Sequence, residues 1–68
     1  MQLTPEDIGL RVISKEKGIG TIIFYNNPNS FYTVKFDNLP IGLYYRYDGV
    51  LFGYDGYPDK NIKLCEEV

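Results

Sequence analysis

Nowhere along this chain do apolar residues recur at the three-to-four-residue spacing that builds a long amphipathic helix. Short runs rich in Ile, Val, Tyr and Phe alternate instead with clusters of Gly, Asn, Asp and Pro. Such punctuation admits short strands and tight turns and leaves helix a minor component. The one helical signature is Thr4-Pro5-Glu6-Asp7-Ile8-Gly9, with Thr as cap, Pro in the first helical position, acids behind it and Gly at the exit. It predicts a single helical turn.

The strands follow in order. Leu10 to Ser14 reads as the first, ended by the charged turn Lys15-Glu16-Lys17-Gly18. Ile19 to Tyr25 reads as the second, and Gly20 within it suggests a bulge or a sharp bend. Asn26-Asn27-Pro28-Asn29-Ser30 is a turn cluster. Phe31 to Asp37 then alternates cleanly, with Tyr32, Val34 and Phe36 on one face and Phe31, Thr33 and Lys35 on the other. After the break at Asn38 to Gly42, Leu43 to Tyr47 and Val50 to Phe52 flank Asp48-Gly49, the dipeptide of a type I′ hairpin turn. Gly53 to Asn61 is a long loop, Ile62 to Cys65 a short closing strand with Ile62 and Leu64 on one face, and Glu66-Glu67-Val68 a tail expected to fray.

Length decides how these strands are assembled. A chain of 68 residues has room for one domain, residues 1–68. A β-sandwich needs about 100 residues, so five or six short strands predict an all-β fold in which one bent sheet closes on itself as a small barrel. A composition of 44% hydrophobic and 16% aromatic residues supplies enough core material for unaided folding.

Charge and residue types then remove function classes. The net charge of -2 gives no general attraction to phosphate backbones. There is no His and a single Cys, Cys65, which excludes a disulfide framework, a Cys/His zinc site and any His-based nucleophilic triad. Ser14 and Ser30 have no His base, and no pair of groups stands out for catalysis, so the chain reads as a non-enzyme without cofactors. The first seven residues lack the basic and apolar regions of a secretory signal, and no apolar run reaches the roughly 18 residues of a membrane span. A cytoplasmic protein with no membrane partner is the expectation.

Gly9-Leu10-Arg11-Val12, then Lys17-Gly18-Ile19-Gly20-Thr21-Ile22, then Val34-Lys35-Phe36-Asp37 form a pattern G-x-x-V, basic turn, G-x-G-x-I, V-x-F-D. Over residues 8–37 this resembles the opening of SH3-like barrels of the tudor and KOW kind, CarD-type polymerase-interacting domains and the tudor-like domain of UvrD-type helicases. The later part, Tyr45-Arg46-Tyr47-Asp48-Gly49 with Pro58-Asp59 and Ile62 to Leu64, is similar to short proteins of phage and prophage genomes. The resemblance implies an SH3-like barrel acting as a standalone adaptor or inhibitor, docked by a sheet edge on host transcription, DNA-processing or defence machinery.

The seven Tyr and four Phe outnumber what so small a core can enclose. Alternation assigns Tyr45 and Tyr47 to the core side with Leu43, and points Tyr44 and Arg46 outward. Exposed Tyr beside Arg is the composition of a binding hot spot, so Tyr44, Arg46, Tyr54 and Tyr57 are the candidate partner-binding residues. The partner expected first is a protein. Lys15, Lys17, Lys35 and Arg46 with stacking tyrosines leave nucleic acid as an alternative, the three lysines being candidate phosphate contacts. A third reading is a homo-oligomer that captures a small ligand such as a nucleotide between subunits. Tyr54, Tyr57, Asp55 and Asp59 offer the residue types of an aromatic cage for a cation, in one loop. Asp48, Asp55 and Asp59 beside glycines do not match a calcium-loop spacing and read as turn formers.

Overall fold

The computed structural model describes residues 2–27 and 29–67, the side chain of Glu67 excepted. Pro28 of the turn cluster, Val68 of the tail and Met1 lie outside the described residues. Five antiparallel strands, β1 (Arg11–Ser14), β2 (Gly18–Asn26), β3 (Phe31–Phe36), β4 (Gly42–Arg46) and β5 (Ile62–Leu64), form one sheet in the order β4-β3-β2-β1-β5. The all-β arrangement of one strongly bent sheet, expected from length and turn chemistry, is the one found, curled into a half-barrel. Among the described residues the helical content is three short 3-10 turns, Pro5–Asp7, Pro58–Lys60 and Cys65–Glu67, and no helix is long and apolar enough to cross a membrane.

The first 3-10 turn stands where the capping signature placed it, with the Thr4 N–H donating to Asp7 Oδ2 at 2.8 Å. The turn between β1 and β2 is closed by buried Ser14, whose Oγ accepts from the Glu16 and Lys17 amides at 3.3 and 3.2 Å. On the outer side of this ladder Arg11 forks onto Asp37, 2.6 Å to Oδ2, and its bonding holds the Asp37 carboxyl below its ordinary value.

Gly20 is not where β2 bulges. The register slips between Ile22 and Phe24, so Ile23 is the extra residue, and beyond it Phe24 faces Thr33 while Tyr25 faces Tyr32. Strict alternation from buried Ile22 would have sent Phe24 inward. The inserted residue turns Phe24 outward and brings the Tyr25 ring to 4.9 Å from that of Tyr32. Gly20 answers a different need, because a Cβ there would lie 2.9 Å from the Lys35 carbonyl oxygen and 2.9 Å from the Phe36 ring.

The Asp48-Gly49 hairpin forms with another turn type. Positive φ is found at Gly49 (85°) and not at Asp48, the Gly49 amide bonds back to the Arg46 carbonyl, and Arg46 N–H donates to Val50 O at 2.9 Å. This is a type I turn followed by a left-handed glycine bulge, a three-residue loop in place of the two-residue type I′ turn. Asp48 accounts for the choice, since its Oδ1 accepts from the Val50 amide at 3.2 Å while its own backbone stays out of the left-handed region. The loop carries Tyr47 out of β4, so Tyr47 is half exposed rather than on the core side; Tyr45 is fully buried.

The core comprises Leu3, Val12, Ile22, Tyr32, Val34, Phe36, Tyr45, Leu51 and Ile62, with Tyr25, Leu39, Leu43 and Leu64 packed against it. The inward faces of β3 and β5 are those the alternation marked. Leu3 joins from outside any strand, held by its N–H to Tyr47 O at 2.6 Å and by the Tyr32 hydroxyl donating to its carbonyl at 3.2 Å. The chain end also departs from expectation: Cys65 leaves the strand and starts the last 3-10 turn through Glu66 and Glu67 rather than a frayed tail. The last strand is tied to the turn that follows β4, where Ile62 N–H donates to Gly49 O at 2.9 Å.

Candidate aromatic docking surface

Cross-strand register builds the surface. Phe24 of β2 faces Thr33 of β3, and Thr33 faces Tyr44 of β4, so these three form one outward row across the sheet. The next outward row is Asn26, Phe31 and Arg46. Phe52 extends the sheet past β4, its N–H donating to Tyr44 O at 3.0 Å, and its ring lies 4.7 Å from that of Phe31. Phe24, Tyr44, Phe52, Tyr54 and Tyr57 are each between 45 and 57% exposed, far more than a core aromatic retains.

Three hollows meet at Phe52. One, of about 390 Å³, lies among Leu43, Tyr44, Leu51, Tyr54 and the stems of Lys17 and Lys60. A second, of about 530 Å³, is lined by Phe31, Arg46, Gly53 and Asp55, and a third, of about 290 Å³, by Asn26, Asn29, Phe31 and Tyr44. The Tyr54 ring packs edge-on against Tyr57 at 6.0 Å, and Lys60 Nζ stands 5.1 Å above Tyr54. The four candidates Tyr44, Arg46, Tyr54 and Tyr57 are thus gathered on one side of the molecule, Tyr57 at one remove through Tyr54.

Residue type and alternation alone do not single out Phe24, Phe31 and Phe52 as part of this surface. The signal for Phe52 was present: once Tyr45 faces Leu51 across the hairpin, their neighbours Tyr44 and Phe52 must both face out. Phe24 depended on the bulge, which no residue type announced.

Arg46 sits between two carboxylates, 3.3 Å from Asp48 and 3.1 Å from Asp55. Lys15 pairs with Asp59 at 3.6 Å, and Lys17 with Glu16 at 2.7 Å. Lys35 turns its ammonium onto the carbonyls of Phe36 and Leu39, closing the loop after β3. Each of the candidate phosphate contacts therefore already faces an acceptor of the chain itself. The cage residues are likewise engaged, since the cation over Tyr54 is Lys60 and both loop aspartates are paired. Among the described residues no group of three His, Cys, Asp or Glu side chains converges as a metal site.

The outer edge of β4 is covered where the hairpin returns, because Tyr44 O and Arg46 N–H bond to the Val50 to Phe52 arm. What faces outward at this end of the sheet is side chains rather than backbone. The chain matches no family model, no curated protein and no solved structure.

Proposed function

We propose that this chain is a non-enzymatic binding module that docks on a protein partner through the outward aromatic face of β3, β4 and the loop that follows. One observation carries the reading: Tyr44, Phe52 and Tyr54, each about half exposed, share the lining of a single hollow, and Phe52 also borders the hollow that Arg46 lines. Rings that fold stability alone would place inside are here held at the surface, where Tyr and Arg are enriched among the few residues that dominate interface binding energy. Because the β4 edge is already paired at Tyr44 and Arg46, side-chain docking rather than strand addition is the mode.

The test is capture of partners on the tagged protein beside a Tyr44→Ala, Phe52→Ser double variant, with nuclease added to both. The reading expects a nuclease-resistant protein retained by the native chain and lost with the variant, a loss of at least about ten-fold for two hot-spot rings. Equal retention by both proteins, or a signal that disappears with nuclease, would contradict it.

A further inference from the structure

The docking surface is electrically polar from end to end. At one end Glu16 accepts from Lys17 at 2.7 Å and, through both carboxylate oxygens, from Lys60 at 3.0 Å. Two ammonium groups thus share one carboxylate at the rim of the hollow that Tyr44, Phe52 and Tyr54 line. The lysine side chains are only 17 and 25% exposed, so salt screens their charge less than that of freely solvated groups. Each ammonium carries three N–H donors, and Glu16 does not engage all of them. The opposite end has the opposite imbalance, with Arg46 between the carboxylates of Asp48 and Asp55. Phe52 stands between, bordering the hollows at both ends.

We infer that the occupant of this surface is an acidic, apolar peptide segment of the partner, its apolar side chain in the hollow among Tyr44, Phe52 and Tyr54 and its carboxylate on Lys17 and Lys60. This rests on the docking reading above and adds the chemistry of what docks. A carboxylate there completes a pairing that Glu16 alone leaves one charge short. A polyanion laid along the whole surface would meet Asp48 and Asp55 at the far end, which disfavours a nucleic-acid strand in the same place.

The test is a titration of the isotope-labelled protein, followed by amide NMR shifts, with three capped synthetic peptides. They share a Leu-Phe-Leu centre and are flanked by Glu, by Gln or by Lys. The Glu peptide is expected to move the amides of Lys17, Leu51, Phe52, Tyr54 and Lys60 and to bind about five-fold more tightly than the Gln peptide, with the Lys peptide weakest. Lys60→Gln, which leaves Lys17 balanced by Glu16, should erase that order. Glu16→Gln, which frees both ammonium groups, should steepen it. Equal affinities for the Glu and Lys peptides, shifts confined to other residues, or stronger shifts at the same amides with a single-stranded oligonucleotide would each overturn the inference. Gln-peptide shifts at Phe52 with no charge order would fault the inference alone, whereas equal capture by the Tyr44, Phe52 variant would fault the docking reading beneath it.

Discussion

The hydroxyl of Tyr45 lies in the core without a hydrogen-bond partner, while that of Tyr32 reaches the Leu3 carbonyl. Burial, with a smaller effect of the Glu16 charge, pushes the Tyr45 phenol up to about 12. Tyr45→Phe removes the orphan group and keeps the ring, whose edge meets Phe36 at 6.1 Å, so it should stabilise the fold at neutral pH by about 1 kcal/mol in urea unfolding. The pH dependence follows from the same group. Between the ordinary tyrosine value of about 10 and the folded value, the unfolded chain loses this proton and the folded chain keeps it. Stability is therefore complete below pH 10 and falls as pH rises toward 12. The variant should hold its fold further into this alkaline range than the native chain, read by near-ultraviolet circular dichroism; an unchanged alkaline midpoint would contradict the assignment. Tyr45 was legible in the sequence as a core residue because it lies two positions from Leu43 in an alternating run. Tyr47 was not, since the alternation runs on past the point where the turn begins, and the turn is set by Asp48 bonding its own backbone.

At the scale of the element, the β2–β3 pair shows what pattern reading sees and what it passes over. Alternation in Phe31 to Phe36 survives as a strand with every second residue buried, because a half-buried strand has no other way to satisfy both faces. The bulge at Ile23 leaves no such trace: Ile22, Ile23 and Phe24 are all good strand formers, and the phase is set by which of them Val34 and Thr33 accept as partners. Gly20 stands out in the sequence, but the bulge it suggests falls at Ile23 instead. The lack of a side chain at Gly20 lets β3 approach, so Gly20→Ala forces a methyl against the Lys35 carbonyl and the Phe36 ring. The expected loss is about 1 to 3 kcal/mol, the usual cost of overpacking, measured by urea unfolding. A neutral outcome would show that the two strands separate freely at this point.

For the molecule as a whole, the fold class followed from length and turn spacing, because 68 residues of short strands have few ways to cover a core. The particular contacts that draw the curl together did not. The contact of Ile62 with Gly49 and the seat of Leu3 join segments distant in sequence, and no local pattern announces them. The candidate surface was half legible: Tyr44, Arg46, Tyr54 and Tyr57 stood out by type, whereas Phe52, the ring around which the hollows meet, became visible only with the hairpin register. The molecule thus divides its aromatics, with Phe36, Tyr32 and Tyr45 inside and Tyr44, Phe52, Tyr54 and Tyr57 outside. Equilibrium unfolding in urea of the native chain and a Tyr44→Ser, Phe52→Ser variant tests that division. Rings held outside the core should change stability by no more than about 1.5 kcal/mol, the worth of the Phe31–Phe52 ring contact and little more. A loss of more than about 3 kcal/mol, the cost of emptying a core site, would mean that these rings hold the fold together and are not a surface kept for a partner.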